Sequence, residues 1–528
     1  MYLGYSISNS VTQKEWEKVY EETLFLADKL NLADWDKFYY KGVRSYAFCK
    51  VKERTEEEFG EEHHFWLACG EYIYMSDGDY FRLEKEINKK KYNKSAGPAI
   101  LGYMDSNTNE SSNHLENQTQ KRSYRSWGGA YLIRLLAILC FMESKLREKM
   151  FIYGSINIHR CETAVKLANK FLKEPIGLPA CCDYNRLYEI VKTLEIPEVE
   201  KVYLMEKAYI GDINLKYKTF IEEHFDKNVI KQFWKKRFKD CAVDDYDFKK
   251  VLESYLSYGF DFRDLFSYVT FTNEKQEYLQ FLELIIQIEN NKNYCSKYFG
   301  LTRDPKDNLV RGFSLEFRRS LFGQEAVGNS TCYTFDEYVK ELSKNFGEHI
   351  DVRSFLKEKI KDEDEDSFIS RIKKYCNEDN YYLFKGEENY DIIASYELIN
   401  YKTGDKIAPY LLEEIKTVLK SNKERLADKE FKEIEKKEST EQIYELIDIY
   451  HHFPVREIDW HHAIDYFNSH SDALKRYYPL FRMNFDFLSP NEDIAKALFI
   501  NDEFYEFCME KVYEQETSGR KSQIPQRK

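Results

Sequence analysis

The sequence predicts an α+β fold: an amino-terminal α/β, sandwich-like domain followed by a large, mainly α-helical region arranged as a bundle or irregular solenoid. Three observations carry this. Within the first ninety or so residues, aromatic and β-branched runs alternate with turn residues, as strands do. Residues 127–172 read helix, strand, helix, the order of helices packed on a sheet. From Asp183 onward apolar residues recur at three-and-four spacing.

Taken in order, Tyr2 to Ser8 alternates enough for a strand. Thr12 and Glu15 then form a capping box ahead of one apolar helical face, Trp16, Val19, Tyr20, Thr23, Leu24, Ala27 and Leu30. Strands follow at Phe38 to Tyr40, Ser45 to Val51 and His64 to Met75, separated by Lys41-Gly42 and by the acidic stretch Glu56 to Glu62. A helix is expected from Asp79 to Lys91. His63 and His64 point to opposite faces of a strand, so together they do not chelate one ion. Residues 105–120, rich in Asn, Ser, Thr and Gln, read as a mobile polar loop.

The apolar run Ala130 to Met142, interrupted only by Arg134, spans roughly 20 Å as a helix, which is short of a bilayer core. It reads as a helix buried in protein. A guanidinium on such a helix needs a carboxylate or carbonyl partner unless it reaches out to solvent at the rim. The strand Met150 to Tyr153 ends at Gly154, and Cys161, Ala164, Val165, Ala168, Phe171 and Leu172 mark the next helix. Arg134, Gly154 and Ser155 form a candidate buried polar site. The turn Gly154-Ser155-Ile156-Asn157 precedes a helix N-terminus, where phosphate can rest, yet it lacks the glycines of a nucleotide loop. The simpler reading is a turn at Gly154 with Ser155 or Asn157 as the helix cap.

Residues 1–180 are therefore expected as the α/β domain, 181–330 and 331–516 as two helical domains, and 517–528 as a flexible tail. Leu187, Ile190, Val191 and Leu194, then Phe220, Phe225, Ile230, Phe233 and Trp234, set the helical faces, with Gly211, Gly259 and Gly300 where helices should stop. The run Lys361 to Asp366 lacks the spacing of a calcium loop and reads as an acidic turn. Tyr401 to Lys406 reads as a turn into a helix opened by Pro409.

A net charge of −13 argues against nucleic acid as the main partner, since phosphate neutralisation needs a basic face. Trp234-Lys235-Lys236-Arg237-Phe238-Lys239 is the best basic stretch, but its spacing reads as a solvated helix face. Eleven cysteines without a Cys-x-x-Cys pair point to thiols in a reducing cytoplasm. No secretory leader is expected at Met1-Tyr2-Leu3-Gly4, and no stretch is long enough to span a membrane. Tyrosines and phenylalanines, 42 and 37, supply rings for cores and for contact surfaces.

Chemistry is sparse. Five of the eleven histidines fall between His451 and His470, and on a helix His461 and Asp465 share a face one turn apart. His451, His461, His462 and Asp465 are thus the candidate ligands of a divalent metal, in a hydrolase or nuclease, although His-Glu-x-x-His is absent. Asp391, Glu397 and Asp405 near Lys402 are carboxylates of the kind a nuclease uses, without diagnostic spacing. The favoured reading is a cytoplasmic protein-interaction or regulatory protein that needs no cofactor and binds another protein through aromatic surfaces of residues 183–528. A host-defence or toxin-neutralising role is compatible with it. A nucleotide or small-molecule sensor at residues 154–157 is the remaining alternative.

Overall fold

A computed structural model describes residues 2–58, 61–87, 99–101, 119–125, 129–211, 215–271, 275–284, 335–359, 392–448, 454–483 and 491–510, apart from positions 240, 244, 259, 261 and 394. The fold is α+β, a sheet-rich amino-terminal part followed by mostly helices. Longer strands among the described residues are β1 (Tyr2–Ser8), β2 (Leu32–Tyr40), β3 (Val43–Lys50), β4 (Glu53–Glu58), β5 (Glu61–Glu71), β6 (Ser76–Glu84), β7 (Thr119–Arg125) and β8 (Met150–Gly154). The chain divides into two compact units of interleaved segments: the first holds residues 1–12, 88–123 and 139–384, the second 13–87, 124–138 and 385–528. Residues 1–180 supply segments to both.

In the first unit the sheet order is β7-β1-β8, with β1 antiparallel to β8 from Leu3↔Gly154 to Ile7↔Met150. Met150, Phe151, Ile152 and Tyr153 are all buried, which is why this strand reads as a continuous apolar run. Gly154, at φ +132°, makes the turn that ends it. The helix Ile158–Asn169 follows, capped by the Asn157 side chain, which accepts from the Arg160 N–H at 2.9 Å. Its buried face is Cys161, Ala164, Val165 and Ala168, matching the spacing in the sequence. Beyond it the helices Tyr184–Val191, Glu198–Ala208, Leu215–His224, Lys227–Lys239 and Tyr246–Ser257 turn their rings inward; Trp234 lies 5.0 Å from Tyr255 and 5.6 Å from Tyr258. Lys235, Lys236 and Lys239 face outward on the opposite side of their helix, and Lys236 pairs with Glu200 at 2.8 Å.

The second unit contains the larger sheet, ordered β3-β2-β5-β4, with β6 also paired to β5. The helix Gln13–Lys29 buries Trp16, Val19, Tyr20, Thr23, Leu26 and Ala27, and Trp16 donates to the Glu84 carbonyl at 2.9 Å. The helices Pro409–Arg425, Ser439–Asp448, Glu457–Ser469, Ala473–Phe481 and Asn491–Ile500 share one core built on Trp460, Phe481 and Phe499, which Phe38 and Ala47 of the sheet join. Pro409 opens its helix, and the turn before it uses Gly404 at φ +105°, with Asp405 accepting from the Lys402 N–H.

Two expectations for this sheet are corrected. The helix expected from Asp79 is strand β6 through Glu84, because Phe81 and Leu83 are buried while Tyr80 is exposed, a period of two. The acidic stretch taken as a separator is paired strand: β4 and the start of β5 form a ladder from Glu53↔Trp66 to Glu58↔Glu61. Nearly all of the polar stretch 105–120 lies outside the described residues, as do Gly259, Gly300, the run Lys361 to Asp366 and the tail 517–528; Thr119 and Gln120 begin β7.

Candidate functional site

Among the described residues of the second unit, the β2–β3 hairpin carries two exposed aromatic rings on one face. Lys41 and Gly42 take positive φ angles of +45° and +93°, the two-residue turn that matches strand twist. The register from Ala33↔Lys50 to Tyr40↔Val43 then fixes the two faces. Phe38 and Ala47 go into the core, Phe38 stacking on Trp460 at 6.0 Å between ring centres. Their sequence neighbours must face the other way. Lys37 lies opposite Tyr46 and Tyr39 opposite Arg44, and Tyr39 and Tyr46 are 61% and 51% exposed. Arg44 lies over the Tyr46 ring, 5.3 Å from its centre, and donates to its hydroxyl at 2.6 Å. Among the described residues no acidic group pairs with Lys37, Lys41 or Arg44.

Below this face the hairpin is braced by charge. Arg54 donates to the Trp35 carbonyl at 2.6 Å and pairs with the buried Asp34 at 2.5 Å. Burial outweighs Arg54 and pushes the Asp34 carboxyl up to about 6. Lys52 pairs with Asp36, and that hydrogen bond holds the Asp36 carboxyl below its ordinary value. Tyr80 of β6 adds a third exposed ring, 59% accessible.

The neighbouring β4–β5 hairpin has the opposite sign. Glu57 sits directly across from Glu62, and both are exposed. Glu56 is answered by Arg82 at 2.9 Å, whose guanidinium also covers the Phe65 ring at 3.6 Å.

The buried charges are clamps. In the second unit Arg134 donates to the Leu30 carbonyl at 2.6 Å and meets Glu71 at 3.0 Å, while Glu71 accepts from the N–H groups of Ile73 and Tyr74. Burial raises the Glu71 carboxyl and lowers the Arg134 guanidinium from their ordinary values. In the first unit Glu143 accepts from the N–H of Ile152 at 3.1 Å and of Ala180 at 2.6 Å, tying β8 to the turn Ala180–Cys182, with Arg186 at 3.5 Å. Burial prevails over those donors and pushes its carboxyl up to about 7. Around this clamp the Cys161 thiol is pushed up by its hydrogen bond with Cys140 and by burial, and the Cys181 thiol by its hydrogen bonds with Cys161 and Cys182 and by burial. Thiols held protonated and covered are poor nucleophiles.

The residues singled out in the sequence are placed as follows. Arg134 belongs to the second unit and meets a carboxylate and a carbonyl; Gly154 and Ser155 belong to the first. The Ser155 carbonyl accepts from Arg160 at 2.7 Å, and Asn157 occupies the first turn of its helix with its own side chain. His461 packs against the Phe38 ring and lies 3.9 Å from Glu457, whereas His462 reaches Asp502 at 3.2 Å; Asp465 is exposed one turn after His461. His451 lies outside the described residues, as does Asp391. Among the described residues no three His, Cys, Asp or Glu side chains converge as a metal-binding group. The outward face of Lys37, Tyr39, Arg44 and Tyr46 was missed by sequence reasoning. Its signal was present: Lys-Gly between two aromatic strands fixes the register, and the buried Phe38 then dictates which rings point out. No family model, curated protein or solved structure matches this chain.

Proposed function

We propose that the chain is a protein-interaction or regulatory protein that acts by binding another protein, with the outer face of the β2–β3 hairpin as a contact surface. The observation that carries this is the pairing of Tyr39 and Tyr46, both more than half exposed, with Lys37 and Arg44 on one side of a braced hairpin. Tyrosine and arginine are the residues that dominate contact energies, and rings held on a rigid strand lose little freedom when covered. The placement of the buried charges supports the same reading, since Glu71, Arg134 and Glu143 are engaged in holding backbone. Among the described residues of the helices between 184 and 257 the rings are buried or half-buried, Tyr246 apart. None of the described cysteines is in a disulfide, which supports a reducing compartment, and among the described residues no helix is long and apolar enough to cross a membrane.

A photo-reactive phenylalanine analogue placed at Tyr46, in cells making the protein, tests this. An adduct with a protein is expected from position 46 and not from the more exposed control Tyr246. No adduct at 46, or the same adducts from both positions, removes the hairpin as the contact surface.

A further inference from the structure

The two hairpins of the larger sheet leave it at the same end. β2 runs antiparallel to β5 where Leu32 meets Glu71 and Ala33 meets Gly70, and β4 runs antiparallel to β5 from Glu53↔Trp66 onward. Both therefore travel the same way, and the last residues of β2 and of β4 lie toward one end of the sheet. One hairpin presents Lys37 and Arg44 without an acidic partner among the described residues. The other places Glu57 directly opposite Glu62, a like-charge cross-strand pair that costs stability. Among the described residues the one ion-pair contact to either glutamate is from the His64 ring, 4.0 Å from Glu62 and charged only when protonated.

We propose that two copies of this chain pair through these hairpins, the Lys37 and Arg44 face of each copy set against the Glu57 and Glu62 ladder of the other, about a two-fold axis. Such a contact is self-complementary and closes at two copies. A foreign acidic protein would answer Lys37 and Arg44 yet leave Glu57 repelling Glu62; a second copy answers both at once. The exposed Tyr39 and Tyr46 rings supply the apolar part of the contact. The whole chain carries a charge of −13, so copies repel at long range, and the facing charges, in direct contact, must outweigh that repulsion for the pair to form. This inference depends on the hairpin face being a contact surface and names its occupant.

Sedimentation velocity of the purified full chain tests it, at roughly 0.02 M and 0.5 M salt, where screening lengths differ several-fold. The wild type should form dimers in low salt that dissociate in high salt. Lys37→Glu with Arg44→Glu, or Glu57→Lys with Glu62→Lys, should each weaken dimerisation about tenfold or more. An equimolar mixture of the two double variants should restore it, because each contact is then complementary again. Matching thermal melts of variants and wild type exclude misfolding, and the wild-type salt series stands without any variant. A chain that stays monomeric in low salt, or dimers that neither variant pair disturbs, overturns the proposal. If the chain is monomeric while position 46 cross-links to a different protein, the pairing is wrong and the contact surface stands.

Discussion

Arg134 and Glu71 meet 3.0 Å apart inside the second unit, and each also holds backbone: the arginine takes the Leu30 carbonyl, the glutamate the N–H groups of Ile73 and Tyr74. Removing one partner strands the other charge. Arg134→Met should therefore cost about 3 to 5 kcal/mol of unfolding free energy, and Arg134→Met with Glu71→Gln clearly less than the sum of the single changes. Denaturant titration of the three variants measures this. Simple additivity would show that the pair does not act as one.

Glu143 gives the first unit a dependence on pH. Its folded carboxyl sits at about 7, above the 4.5 of the free group, so the folded state holds the proton more tightly. The contribution is complete below about pH 4.5 and is lost as pH rises toward 7, on the order of 3 kcal/mol in all. Asp34, at about 6, acts in the same direction in the second unit. Glu143→Gln should flatten the fall in stability between pH 5 and 7, as read by melting temperature across that window; an unchanged slope would rule out Glu143 as its source.

The thiols should label in a fixed order. Cys241 is partly exposed, whereas Cys140, Cys161, Cys181 and Cys182 are buried, and burial with hydrogen bonding holds Cys161 and Cys181 protonated. Mass spectrometry after brief treatment with iodoacetamide at neutral pH should find Cys241 modified well before Cys140, Cys161 and Cys181, whose thiols are raised by their surroundings. Early modification of Cys161 would contradict the packing described around Glu143.

Gly42 tests the hairpin itself. Its φ of +93° suits glycine, and an added Cβ there would meet nothing within 4 Å, so the whole effect of Gly42→Ala lies in the backbone. A loss of about 1 kcal/mol is expected from thermal or chemical unfolding. No loss would mean the turn relaxes to another geometry.

Local pattern made much of this legible, and pairing at a distance did not. The buried strand Met150–Gly154, the helix after Asn157, the Lys41-Gly42 turn and the proline-led helix at Pro409 follow from runs of a few residues. One arginine in an apolar helix left a buried partner and an outward reach both open; Glu71 as its partner was not legible, because 63 positions separate them. Strand β6 was misread because Asp79 and the charged residues after Leu83 mimic a helical spacing, and only its ladder with β5 imposes the period of two. The glutamates of β4 carry no strand propensity; they are extended because β5 lies beside them. The contact face was hidden for the same reason, since exposure of Tyr39 and Tyr46 depends on what Phe38 packs against.

The size of the native assembly in gently broken producing cells tests the contact surface most directly. Wild type and the triple variant Tyr39→Ser, Arg44→Glu, Tyr46→Ser are compared by size-exclusion chromatography, after their melting temperatures are shown to agree. The wild-type chain should elute in a species larger than one copy, and the variant as a single chain. If both elute at the same size, the hairpin face is not where this protein is held.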